Sequence, residues 1–148
     1  MRTNICIKTI LEIRKLSRFL DKYSKHLNNT YNVTLPQMLC LHEISIRESI
    51  NLTELTSSIN LNNSAVTGIV DRLEAKEFVH RIKKGEDRRT IYLEITPEGK
   101  EYAAHLTKML SGNCLFDTNK IGASNFDHIL EALQEITHTL DPEIDKIV

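Results

Sequence analysis

Residues 51–74, "NLTELTSSINLNNSAVTGIVDRLE", contain two helix starts in close succession, and the turn between them decides the fold. Asn51 offers a side-chain acceptor to the first turn of one helix. Glu54, three residues on, reaches back to it, a reciprocal capping arrangement. Leu52, Leu55 and Ile59 supply the inward face of that helix. Leu61 then leads to Asn62, a second good N-cap residue. Val66, Ile69, Val70 and Leu73 follow at i, i+3, i+4 and i+7, which predicts a buried stripe. Ser64, Thr67, Gly68 and Asp71 lie opposite, small or polar, so this helix can approach another surface closely. Two short helices joined by a tight turn read as a helix-turn-helix.

Past Phe78 the pattern changes from a helical period to alternation. "FVHRIKK" (78–84) and "TIYLEI" (90–95) flank the turn "GEDRR" (85–89). Ile91, Leu93 and Ile95 point one way, Tyr92 and Glu94 the other, as in a half-buried strand. Thr96 caps the next helix, with Pro97 at its first position. A helix-turn-helix followed at once by a two-stranded hairpin is the winged form of the motif. Between Arg81 and Arg89 five bases stand against two acids, although the whole chain carries a net charge of −1. A helix with small polar residues outward fits a major groove, and an arginine at a hairpin tip reaches the neighbouring minor groove, where phosphates concentrate negative potential. Arg89 is expected to enter that groove and Arg88 to hold phosphate, with Asp87 orienting its neighbour; Lys83 and Lys84 would add phosphate contacts.

The flanks read as helices. From Ile5 to about Asn28, Ile10, Ile13, Leu16, Leu20, Tyr23 and Leu27 recur on one face. "NNTYNVT" (28–34) breaks the pattern, and Pro36 opens a second helix whose expected stripe is Leu35, Leu39, His42 and Ile46, joined by Met38 and Leu41. After the hairpin a helix is expected from Pro97 to about Leu110, then a loop through "SGNCLFDTNKIGAS" (111–124), then a helix from about Asn125 to Leu140. The last carries Phe126, Ile129, Leu130, Leu133 and Ile136. The terminal helices have apolar stripes but belong to neither motif nor wing, so they need a partner surface. Leu16, Leu20, Leu130 and Leu133 are the expected dimerisation residues. The division is therefore 1–34 for an N-terminal dimerisation helix, 35–96 for the winged helix-turn-helix and 97–148 for C-terminal dimerisation helices. The fold class is mainly α with a small β-hairpin.

"NLTELTSSINLNNSAVTGIVDRLEAKEFVHRIKKGEDRRTIYLEITPEGKEY" resembles the core of the MarR family of bacterial winged-helix regulators. The resemblance covers about a third of the chain, rests on "DRLE" (71–74) and the "DRR" wing, and departs at Ile95, where the family usually has Leu. It implies an obligate homodimer whose first and last helices interlock, and two recognition helices spaced for a pseudo-palindromic operator in double-stranded DNA. Carried over by position, Ser64, Thr67 and Arg72 fall on the recognition helix, and Asp87 and Arg89 match the Asp-x-Arg wing. Asn63 and Gly68 complete the candidate reading face. The bland alternatives are a solvated helix face, a wing that binds protein, and an Arg72 that pairs with Asp71 or Glu74.

The resemblance also implies a small-molecule or stress signal, with release of a repressor as the expected outcome. Tyr23, His26, Met38 and His42 are the expected effector pocket, and "YSKHLNNTYNVTLPQML" (23–39) resembles the branch of the family linked to ectoine and other compatible solutes. His26, His42 and His105 form no metal-ligand spacing, and neither a metal nor a cofactor is expected. Cys6, Cys40 and Cys114 have no CxxC spacing and read as reduced thiols of a cytoplasmic protein. Cys6 is expected to be buried and inert. An enzyme is not expected, because the sequence shows no Gly-rich phosphate loop, paired catalytic carboxylates or nucleophile–base pair. The N-terminus lacks a signal-peptide pattern, and no apolar run approaches the ~20 residues of a membrane span.

Overall fold

The computed structural model describes residues 2–84, 89–112 and 118–140. The elements run α1 (Arg2–Tyr31), α2 (Leu35–Arg47), β1 (Ser49–Asn51), α3 (Leu52–Ile59), α4 (Asn63–Ala75), β2 (Val79–Lys83), β3 (Ile91–Ile95), α5 (Pro97–Gly112), α6 (Thr118–Ile121) and α7 (Ala123–His138). They form two compact units, Met1–Ser111 and Gly112–Val148. Among the described residues no helix is long and apolar enough to cross a membrane.

The core of the first unit joins α2, α3 and α4 to one small sheet. Leu41, Ile44, Ile50, Leu55, Val66, Val70, Val79 and Leu93 are fully buried in it. Only the C-terminal part of α1 enters: Leu27 is buried and Tyr23 and Tyr31 pack against the cluster. That end is also tied by hydrogen bonds. The Leu35 amide donates to Ser24 Oγ (3.0 Å), Lys76 Nζ to the Asn32 carbonyl (3.0 Å) and the Tyr102 hydroxyl to the Tyr31 carbonyl (3.3 Å). The rest of the expected α1 stripe, Ile10, Ile13, Leu16 and Leu20, is exposed within the single chain.

α2 starts where Thr34 and Gln37 cap each other and Pro36 occupies the first turn. Its buried face differs from the expected one. Gln37, Met38, Cys40, Leu41 and Ile44 are inside, whereas Leu39, His42 and Ile46 face solvent. Apolar residues cover more than half the circumference of this helix, so periodicity alone does not choose a face; packing against α1, α3, α4 and β3 does.

The hairpin is part of a three-stranded antiparallel sheet in the order β1-β3-β2. Ile50 pairs with Leu93 on one side of β3 and Arg81 pairs with Leu93 on the other. β1 was not expected, since three residues are too few to display alternation. At the exit of the sheet, buried Thr96 donates from Oγ1 to the Glu77 carbonyl (2.7 Å) and accepts from the Gly99 amide (2.9 Å). Thr96 also donates its own amide to the Phe78 carbonyl (3.0 Å). A Cβ on Gly99 would come within 2.1 Å of that same carbonyl, so α5 can start here only with glycine at that position. Phe78 and Tyr102 then stack at 4.6 Å.

In the second unit the expected loop contains the short α6, and α7 begins at Ala123, two residues ahead of Asn125. Ile129, Leu130, Leu133 and Ile136 are exposed within the single chain.

Candidate nucleic-acid interface

Three asparagines frame the helix-turn-helix, one ahead of α3 and two in the turn between α3 and α4. Asn51 caps α3 as expected, accepting from the Glu54 amide (2.8 Å) while Glu54 accepts from the Asn51 amide (3.2 Å). Asn60 closes α3 in the left-handed region (φ 52°), a conformation that asparagine tolerates better than most side chains. Asn62 caps α4 through the Ala65 amide (2.8 Å). α4 buries the four expected residues Val66, Ile69, Val70 and Leu73. Asn63, Ser64, Thr67, Asp71 and Arg72 are exposed, with Gly68 half-buried between them. Nothing lies within 4 Å of a Cβ built on Gly68, so internal packing does not require glycine there. The Thr67 hydroxyl donates to the Asn63 carbonyl (2.8 Å), which leaves its methyl group and a lone pair facing outward. A methyl beside an acceptor suits contact with a thymine methyl and a base amino group in the major groove.

Behind this face lies a feature that the sequence reading missed. Arg81 of β2 reaches back to α4, where its guanidinium contacts Asp71 (2.6 Å) and Glu74. Glu74 also accepts from the Arg81 backbone amide (3.4 Å), on the outer edge of the sheet. Burial works against the Arg81 charge, but the hydrogen bonds and opposite charges of Asp71 and Glu74 outweigh it and raise its pKa. Arg81, not Arg72, therefore takes the ion pair with these acids. The signal was present in "DRLE": two carboxylates three apart on one helix turn need a cation, and the adjoining strand supplies it. The arrangement fixes the wing strand to the C-terminal half of α4 and neutralises an acid on its outward side.

On the wing, Lys83 and Arg89 are exposed. Lys84 pairs with Glu94 and donates to Ser49 Oγ (3.3 Å), so it bridges across the sheet as well as adding charge. Asp87 and Arg88 lie outside the described residues. The expected effector residues do not share one environment: Met38 is in the core, Tyr23 packs against it, and His26 and His42 face solvent. Two open hollows of about 510 and 590 Å³ lie along α1, lined by residues such as Leu11, Arg18, Ser24 and Asn28 instead. Cys6 is exposed, against expectation; Cys40 is the buried thiol, and burial pushes its pKa up to about 12.

Residues 33–91 match the model of the MarR family. Over this segment the chain is similar to the MarR family. The uncharacterized HTH-type transcriptional regulator YsmB of Bacillus subtilis is 27% identical over 88 residues, 60% of this chain and 60% of that protein. The match thus spans less than two thirds of that relative's length. The HTH-type transcriptional regulator SarZ of Staphylococcus epidermidis is 24% identical over 128 residues, 86% of this chain and 84% of its own. Among solved structures, the transcriptional regulator BldR of Sulfolobus solfataricus has a TM-score of 0.75 at 25% identity, over 94% of this chain and 96% of that one. The S. aureus MepR–DNA complex shares the fold at 13% identity, with a TM-score of 0.76 over 88% of this chain and 96% of MepR. This MarR-family likeness supports a DNA-binding regulator of transcription over a winged helix that serves protein contacts alone.

Proposed function

We propose that this chain is a sequence-specific, double-stranded DNA-binding transcriptional regulator, acting in the cytoplasm as a homodimer on a pseudo-palindromic operator. Residues 35–96 read the DNA, and residues 1–34 and 97–148 supply the dimer contacts. One observation carries the reading. α4 turns Ser64 and Thr67 outward on a helix whose opposite face is fully buried, and Arg81 braces that helix against the basic wing. Asn63, Ser64, Thr67, Gly68 and Arg72 would lie in the major groove. Arg89 would enter the adjacent minor groove with Lys83, Lys84 and Arg88 on phosphates. The MepR neighbour solved with DNA supports that use of the same fold.

Release by a small molecule completes the proposal, with the protein acting as a repressor. NadR, a neighbour of the same fold, was solved in complex with 4-hydroxyphenylacetate, which supports an effector of that size. The resemblance of residues 23–39 to the compatible-solute branch makes ectoine the first compound to try beside aromatic acids.

The test is a mobility shift and footprint on the DNA upstream of the chain's own gene, followed by selection from random duplexes. A protected pseudo-palindrome whose affinity falls steeply with salt is expected. Thr67→Ala should relax choice at one or two positions, costing about 1–3 kcal/mol for the matched base. Identical selected motifs for both proteins would remove Thr67 as a reader. Absence of any salt-sensitive binding would remove the function.

A further inference from the structure

We propose that the outward face of α1 is a second, sequence-independent surface for double-stranded DNA, separate from the helix-turn-helix and wing. Arg14, Arg18, Lys22 and Lys25 recur at i, i+4, i+8 and i+11, so they form one row along the helix, with Lys15 beside it. All five are exposed. The row lies opposite Leu16, Leu20, Tyr23 and Leu27, the face that ends in the core at Leu27. It is therefore not the side that α1 turns toward its own fold.

Three features set this face apart from an ordinary solvated one. It is cationic on balance: five bases stand along it against Asp21, the acid that lies within the row three residues after Arg18 and four before Lys25. Among the described residues Lys15 alone of the five has a salt bridge, with Glu12 at 2.7 Å. Next, Arg14–Arg18, Arg18–Lys22 and Lys22–Lys25 are like-charge neighbours at helical spacing, which weakens an isolated helix. A polyanion laid along the row would reverse that repulsion. Last, the C-terminal end of α1 is held to the winged helix through Ser24, Tyr31 and Asn32, so the row is presented on a fixed support.

From Arg14 to Lys25 the row spans about 16 Å at the helical rise, with cations about 6 Å apart. That is the scale of neighbouring phosphates on a duplex backbone. Lysine and arginine side chains suit phosphate contact and by themselves carry no base code there. A second duplex is the occupant that this charge complements. A dimer holding its operator on one side would then hold another DNA segment on α1.

The test uses the full chain, saturated with an immobilised operator, and a fluorescent duplex of unrelated sequence. Wild type is expected to capture the second duplex, with a salt slope about three to four units steep, one unit for each phosphate contact. A variant carrying Arg14→Gln, Arg18→Gln, Lys22→Gln and Lys25→Gln should hold the operator as wild type does and lose capture by about tenfold or more. Arg14→Lys with Arg18→Lys keeps the charge and should keep capture. The proposal fails if the glutamine variant captures as well as wild type, or if wild type captures nothing. It also fails if duplex capture is unchanged and the variant loses only its binding to anionic phospholipid vesicles, or only a higher assembly seen in sedimentation. Direct binding of the unrelated duplex, measured in parallel, separates this surface from the function proposed above: loss of operator recognition with row-dependent duplex binding intact overturns that function and supports the surface.

Discussion

Gly68 sits in the middle of a helix with open space where a side chain would be, which is an unfavourable place for glycine unless something else approaches. Gly68→Ala should stabilise the free protein by about 1 kcal/mol, because alanine loses less backbone freedom in a helix. Operator affinity should move the other way, since the new methyl group stands where the groove floor would come. Thermal melting and a binding titration on the same sample check both signs, and a variant that gains in both measurements removes Gly68 from the interface. Cys40 is legible in the opposite sense. Its thiol ionises near 9.0 when exposed and near 12 in the fold, where burial disfavours the thiolate. The folded state thus keeps this contribution fully below pH 9 and loses it as pH climbs towards 12. Alkaline denaturation of Cys40→Val should accordingly be shallower across that window than that of wild type. Iodoacetamide at neutral pH should modify exposed Cys6 and spare Cys40 in the native protein.

The elements that carry strong local chemistry could be read from the sequence, and those set by distant packing could not. Asn51 with Glu54, Asn62 and the stripe from Val66 to Leu73 placed α3 and α4 correctly, because a cap and a period are properties of adjacent residues. The inner face of α2, the strand β1 and the placement of Arg81 depend on partners far along the chain, and a one-dimensional pattern does not contain them. Arg81 matters most at this scale because it joins the two parts proposed to read DNA. Asp71 is mostly exposed and Arg81 only partly buried, and surface pairs of this kind contribute little to stability, so Arg81→Gln should lower the melting temperature only slightly. It should instead uncouple helix from wing. Arg89→Ala is expected to weaken binding most where the operator flanks are A·T-rich, and that penalty should shrink when Arg81 is already glutamine. Equal penalties in both backgrounds would mean that α4 and the wing act independently.

In the whole chain, large apolar residues remain uncovered along both terminal helices. Leu16 and Leu20 are each 41% exposed, Leu130 51% and Leu133 44%. Apolar rows of this length are the surface that the proposed dimer would cover. Glutamate at all four positions should give a monomer or an unfolded chain by sedimentation. A folded dimer from that variant would place the contact elsewhere. The position of β3 has a different consequence. Tyr92, Leu93 and Glu94 are paired on both sides, with β1 and with β2, whereas Ile91 and Lys83 face only each other. Opening that begins at the tip should therefore stop at Tyr92. In deuterated solvent the amides nearest the tip should exchange early and those beside Leu93 only with global unfolding. The Lys83–Ile91 end of the sheet then yields before its root does. It can follow a groove whose width varies from one sequence to the next without changing its angle to the molecule that carries it.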